Sequence, residues 1–147
     1  MALTDSEVQH LIRLPKRFTD IAQVIIPQSG EFEHRSDLAA IGGRDTFILD
    51  ISRAAIRMTR CKSQTRYARN IILIRVDLDG SPHENPDGTD VGRSHVHIYR
   101  AGWDDKWAYP LSEYKGFASC STLVELVRSF CRYCGVTSDI PYQEGII

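Results

Sequence analysis

The segment Asn70-Ile-Ile-Leu-Ile-Arg-Val-Asp-Leu78 places the tightest limit on what this chain can become. Ile72, Ile74, Val76 and Leu78 share one face at period two, and Ile71 and Leu73 make the opposite face apolar as well. β-Branched residues in strict alternation read as a strand. A strand apolar on both faces belongs inside a sheet that is covered on both sides. The remaining residues must therefore supply partner strands and covering layers. The composition permits this: 147 residues, 42% hydrophobic and 25% charged, are the proportions of one globular domain and not of a disordered, collagen-like or low-complexity chain. A single domain over 1–147 is expected.

The covering layers are predicted at the two ends. Thr4 and Glu7 have capping-box spacing, followed by Val8, Leu11 and Ile12 as an apolar helical stripe. Pro15 ends or kinks that helix, and Phe18 to Ile26 forms a second apolar stretch, another helix or a helix plus strand that period alone does not separate; the N-terminal helical segment is taken as about 4–27. Thr122 and Glu125 repeat the capping spacing ahead of Leu123, Leu126, Val127, Phe130 and Cys134, with Gly135 at the helix stop; this helix is expected over about 121–134. Between them, about 31–110 reads as sheet: Thr46–Ser52, a weaker candidate at Ile56–Lys62, Asn70–Leu78, Ser94–Arg100 and a short Trp107–Tyr109. The expected fold is α+β, an antiparallel sheet of about four to five strands with the N- and C-terminal helices packed on one side.

No apolar run approaches the roughly 18 residues of a membrane span, and the first residues lack the basic flank and apolar core of a secretory signal. A cytoplasmic protein with no membrane partner is expected. The pair Cys131-Arg-Tyr-Cys134 has zinc-like spacing but no second pair, and it falls at a helix end, where a thiolate is not stabilised. Buried reduced thiols are the expectation for it and for Cys61 and Cys120.

The net charge of -1 conceals a polarised distribution. Arg53, Arg57, Arg60, Lys62, Arg66, Arg69 and Arg75 lie between Ile51 and Val76 with no acidic residue among them, whereas Asp77, Asp79, Glu84, Asp87, Asp90, Asp104 and Asp105 follow. The basic block could follow a phosphate backbone, with Tyr67 stacking a base. It could also meet an acidic protein surface, or simply be a solvated hairpin.

In His95-Val-His-Ile-Tyr-Arg100 the strand period puts His95, His97 and Tyr99 on one face and Val96 and Ile98 in the core. Two imidazoles at about 7 Å suit either of two chemistries. They could bind a metal with a third ligand, His83 or Asp87, from the preceding loop. They could also cleave a phosphodiester without metal, one histidine as base and the other as acid, with an arginine stabilising the phosphorane. The third possibility is that they are polar residues on the wet face of a strand. Trp103 and Trp107 flank a charged turn that packs on the sheet edge or forms an aromatic platform beside the histidines. The acidic loop fails calcium-loop spacing, because Gly80 directly follows Asp79. No phosphate-binding glycine loop, dinucleotide fingerprint, nucleophile elbow or H-E-x-x-H helix occurs.

Residues 45 to 111 carry Phe47-Ile-Leu-Asp-Ile51, Arg66-Tyr67, Arg75-Val-Asp77, Pro82-His-Glu-Asn-Pro-Asp-Gly88, the H-x-H-I-Y-R run and Asp105-Lys-Trp-Ala-Tyr-Pro-Leu111. This pattern resembles an uncharacterised family of small bacterial and phage proteins with no assigned function. The resemblance implies a mobile-element or defence setting and transfers no catalytic residue.

The leading expectation is a small metal-independent ribonuclease-like, RNA-binding protein, such as a toxin with an antitoxin partner. His95 and His97 would be the acid–base pair, helped by Tyr99 and Arg66. Arg53, Arg57, Arg60, Lys62, Arg66, Tyr67 and Arg69 would hold the RNA, with His83, Arg100, Trp103, Lys106 and Trp107 as accessory residues and no cofactor or metal. The alternative is a non-enzymatic inhibitor, phage-encoded or from a mobile element, that docks its charged surfaces on a host protein or nucleoprotein.

Overall fold

In the computed structural model, which describes residues 2–146, the chain is built mainly of strands. In order they are β1 (Lys16–Phe18), β2 (Val24–Ile26), β3 (Phe32–Ala40), β4 (Thr46–Arg53), β5 (Cys61–Tyr67), β6 (Ile71–Leu78), β7 (His95–Ile98), β8 (Ala108–Pro110) and β9 (Tyr142–Glu144). Helix α1 (Asp5–Arg13) precedes them, and α2 (Lys115–Ala118) and α3 (Leu123–Tyr133) lie between β8 and β9. Seven strands form one antiparallel sheet in the order β1-β3-β4-β5-β6-β7-β8, while β2 and β9 pair in parallel as a separate ribbon.

This corrects the expected α+β fold with four to five strands. The long strands missed or displaced are polar ones. β3 reads FEHRSDLAA and β5 reads CKSQTRY, and neither shows an apolar stripe. They hold because each is hydrogen-bonded on both sides within the sheet. The strand expected at Ile56–Lys62 is displaced to Cys61–Tyr67, and Ile56, 99% exposed, sits in the turn before it. After Pro15 the chain is extended and not helical, running through β1 and β2.

One face of the sheet is the core. Phe47, Leu49 and Ile51 of β4, Ile74, Val76 and Leu78 of β6, and Val96 and Ile98 of β7 pack with Val8, Leu11 and Ile12 of α1 and Leu126, Val127 and Phe130 of α3. Both capping threonines act: Thr4 Oγ1 accepts from the Glu7 N–H at 3.1 Å and Thr122 Oγ1 from the Glu125 N–H at 3.2 Å. Lys16 is 0% exposed in this core. Its ammonium donates to the carbonyls of Leu11, Ile12, Leu14 and Cys134 at 2.8–2.9 Å and lies 4.5 Å from the Phe47 ring centroid. It thereby ties together the carbonyl-rich C-termini of α1 and α3, the ends that favour a cation. Gly135 follows α3 at φ +76°, and a Cβ there would come within 2.5 Å of the Arg13 carbonyl. Cys61, Cys131 and Cys134 are buried thiols, and desolvation raises their pKa, that of Cys61 to about 11.

The opposite face of the sheet is polar, and the strand register lays it out as two rows. One runs Glu33–Ser52–Lys62–Asp77–His95 across β3 to β7, and the other runs Arg35–Asp50–Gln64–Arg75–His97. At the β3–β5 end the rows floor an open groove of about 680 Å³. At the β6–β8 end two connections fold over them. No helix among the described residues is long and apolar enough to cross a membrane.

Candidate metal centre

Antiparallel pairing puts Asp77 opposite His95 and Arg75 opposite His97. The connection from β6 to β7 then closes over this patch. Its base is tied by Gly80 N–H to the Arg93 carbonyl at 2.8 Å and by Asp79 N–H to Ser94 Oγ at 2.9 Å. Its middle is pinned by buried Asn85, whose amide donates to the Ala108 carbonyl at 2.9 Å and accepts from the Ala108 N–H at 2.8 Å. Asn85 thus pairs with β8 as a further strand residue would. The result is that His95 is 1% and His97 3% exposed, so neither lies on a wet strand face.

Both imidazoles are held the same way. His95 Nδ1 lies 2.9 Å from the Gly92 carbonyl oxygen and His97 Nδ1 2.8 Å from that of Asp105. A carbonyl only accepts, so each Nδ1 carries the proton. Each Nε2 then faces Asp77 Oδ2, at 3.1 Å from His95 and 3.6 Å from His97. Three electron-rich atoms converge with no hydrogen among them unless an imidazole is charged. Arg75 Nε stands 3.2 Å from Asp77 Oδ1, close enough for ion pairing, yet neither atom has a directed hydrogen bond. Burial would raise the pKa of Asp77, but hydrogen bonds that His95 and His97 donate when an imidazole is charged, together with the Arg75 charge, outweigh it and hold the carboxyl well below the usual range.

The three ligand atoms lie within 4.8 Å of one another. An ion bonded at about 2.1 Å separates neighbouring ligands by about 3.0 Å in octahedral and about 3.4 Å in tetrahedral geometry, so the 3.1 and 3.6 Å separations are those of adjacent coordination positions. An Nδ1–H fixed by a backbone carbonyl with Nε2 turned to the ion is the usual posture of a ligating histidine. Two imidazoles and one carboxylate suit zinc, iron, cobalt or manganese and leave positions open for water or substrate.

His83 joins the cluster from the loop. Its ring centroid lies 4.6 Å from that of His97 and 5.5 Å from that of His95. Nε2 lies 2.9 Å from the Lys106 carbonyl and donates to it, so Nδ1 keeps a free lone pair. A cleft of about 220 Å³ opens here, lined by Arg60, Lys62, Arg75, Ser81, His83 and the cluster itself.

The other sequence candidates are dispersed. Arg53 points into the opposite face and donates to the carbonyls of Gly30 and Pro27. Arg57 pairs with Asp79 at 2.7 Å beside the β4–β5 turn, whereas Arg69 sits in the β5–β6 turn at the far end of β5. Arg66 is bound to Asp50 at 2.7 Å and lines the large groove, not the histidine cleft. The expected basic stripe is therefore divided: two turns, one buried face and one groove take Arg57, Arg69, Arg53 and Arg66. Tyr67 is half-buried against Phe47 and donates to Asp45 at 2.9 Å, which removes it as a stacking platform. Tyr99 does not line the histidine face, because β7 ends at Ile98; its ring is buried in the core and its oxygen accepts from the Leu3 N–H at 3.2 Å. Arg100 stacks on Trp107 at 4.3 Å, Trp103 packs edge-on against Trp107, and Lys106 contributes its carbonyl to His83.

The residues missed are Asp77, Arg75 and Asn85. The third member of the cluster is Asp77 from the neighbouring strand, and not His83 or Asp87. The signal was present in β6, where Arg75 and Asp77 break an otherwise apolar strand at the same two-residue period as the histidines.

The model of a family of unknown function (DUF6978) matches residues 3–136. The chain belongs to that family. The match includes Arg75, Asp77, His83, Asn85, His95 and His97, so the centre lies wholly inside the family domain. No curated protein and no solved structure matches the chain.

Proposed function

We propose that this member of the family binds one divalent transition-metal ion through Asp77, His95 and His97 and uses it for hydrolysis. The observation that carries the reading is the convergence of two Nε2 lone pairs on one carboxylate oxygen, with both Nδ1 protons committed to backbone carbonyls. Three protein ligands would leave coordination positions open, and an ion held there would supply Lewis acidity toward a bound water. His83 lines the same cleft with its Nδ1 lone pair uncommitted, and would accept a proton from that water. The water oxygen bonds to the electrophile, and the leaving group departs with a proton returned from His83.

The test is metal content. Chelated, dialysed protein reloaded with zinc or cobalt should hold one ion per chain by elemental analysis, and cobalt should give the visible bands of a histidine–carboxylate site. His97→Ala, folded by circular dichroism, should hold none. Wild type that retains no ion after reloading overturns the proposal.

A metal-free ribonuclease, in a bacterial or phage toxin setting, is the second reading. It is favoured by Arg60, Lys62 and Arg75 lining the same cleft as the two histidines. Cleavage of single-stranded RNA that survives EDTA and is lost in His97→Ala would establish it over the metal.

A further inference from the structure

The histidine cleft and the open groove are not separate. Both are lined by Lys62 and Arg75, so the groove on the β3–β5 face runs into the cleft over β6 and β7. Lys62 is the hinge between them. The register puts it directly across from Asp77 on the same face, it is exposed, and among the described residues no carboxylate lies within ion-pair distance of it, whereas Arg66 and Arg75 are both paired. A cation left free beside a metal position is placed to take a second negative oxygen from whatever the ion polarises. The carboxylate-rich neighbourhood makes its freedom informative, since Asp77 and Asp105 both neutralise Arg75 and neither neutralises Lys62.

Beyond Lys62 the groove changes character. Glu33, Ser52, Asp50 and Gln64 offer carboxylate, hydroxyl and amide groups, with Arg35 and Arg66 at its border, and no Phe, Tyr or Trp lines it. Such a surface hydrogen-bonds hydroxyl groups, and among the described residues His34 is the one aromatic ring along it. Its volume, about 680 Å³, falls within the range that takes an organic ligand of ordinary size.

We infer that the substrate is a phosphate ester with a hydroxyl-rich arm, a sugar phosphate, with its phosphate between the metal position and Lys62 and its sugar in the groove beside Glu33 and Gln64. This rests on the metal reading for the ion, but the anion site is this chain's own. The same chemistry comes from a free sugar phosphate or from the sugar–phosphate backbone of single-stranded nucleic acid, read without regard to base.

The experiment is isothermal titration calorimetry on both zinc-loaded and chelated protein, with inorganic phosphate, ribose, ribose 5-phosphate and tetrauridylate as probes. Ribose 5-phosphate should bind at least about tenfold more tightly than inorganic phosphate, and ribose alone should not register. Lys62→Ala should lose about tenfold for both phosphate compounds with its zinc content unchanged. Gln64→Ala should weaken ribose 5-phosphate and leave inorganic phosphate alone. Tighter binding of tetrauridylate than of ribose 5-phosphate identifies the polymer as the source; the reverse identifies the free sugar phosphate. Failure of the metal reading shows earlier, as absent zinc, and the chelated arm still decides the anion site. No phosphate binding in either arm, or Lys62→Ala binding as wild type does, overturns the inference.

Discussion

Replacing Asp77 with Asn separates the two ways in which the cluster can be held together. With a metal, the carboxylate is the only charged ligand, and its loss should weaken zinc by about a thousandfold, given that even second-shell partners cost 10- to 100-fold. At free zinc one hundred times the wild-type Kd, binding adds about 2.7 kcal/mol to wild type. For a chain of 147 residues, each kcal/mol moves Tm by about 2–4 °C, so zinc should raise the wild-type Tm by about 5–11 °C. The variant at the same zinc concentration gains less than about 0.1 kcal/mol and should not shift. In chelator the Asn amide donates to one of the two Nε2 atoms that faced a carboxylate oxygen at 3.1 and 3.6 Å, while the ion pair with Arg75 is lost and Arg75 keeps Asp105, so the variant should melt within about 3 °C of wild type. The competing account makes one imidazole cationic and the contact a buried ion pair. Breaking such a pair costs about 3–5 kcal/mol, so the chelated variant would melt at least about 6 °C below wild type. Differential scanning calorimetry with EDTA and with zinc reads all four values. A variant that keeps the zinc shift, or that falls this far in EDTA, refutes the metal argument.

Three further outcomes follow from other parts of the molecule. Lys16→Met keeps the buried stem but leaves the carbonyls of Leu11, Ile12, Leu14 and Cys134 without their donor; because an ammonium has only three N–H groups to share among them, about three charged hydrogen bonds are lost at about 1.5–3 kcal/mol each against several kcal/mol of ammonium desolvation regained, so the net loss should be about 2–4 kcal/mol by urea unfolding, and an unchanged midpoint would contradict the clamp. Asn85→Ala removes both hydrogen bonds between the loop and Ala108 and should lower zinc affinity about 10- to 100-fold, because Gly92, the partner of His95, rides on that loop; competition against a chromogenic chelator checks it, and equal affinity would disconnect loop from site. Burial raises the pKa of Asp50, but hydrogen bonds from Arg66 and Gln64 and the charges of Arg66 and Arg35 overcome this and lower it. A carboxylate with a depressed folded pKa contributes stability that is present above its unfolded value, near 4, and is lost as pH falls through the folded one. Asp50→Asn should therefore flatten the stability profile below about pH 4, whereas a slope as steep as that of wild type would show that Asp50 does not titrate with folding.

Helices α1 and α3 were legible because each announces itself locally, by a capping threonine and an apolar stripe at helical period. The long strands of the main sheet were legible only where they are apolar. β3 and β5 take their stability from neighbours on both sides, and Ser63 and Thr65 are buried under α3 although nothing in their own composition requires it. A strand's burial is decided by what its neighbours place over it, and window-based reading of polarity does not contain that information.

The site shows the same division more sharply. The histidine pair could be read from its period alone, and so could the faces of Arg75 and Asp77. What could not be read was that the two faces are the same face, because that depends on the register between β6 and β7 across a loop of Asp79 to Ser94. A slip of one residue would put Val96 opposite Asp77 and turn both imidazoles to the α1 side. Val96 and Ile98 forbid that slip, since it would carry two core residues to the polar face. The hydrophobic residues of β7 therefore set the coordination geometry as surely as the histidines do. Changing Val96 to a polar residue should loosen metal binding through register, without touching a ligand.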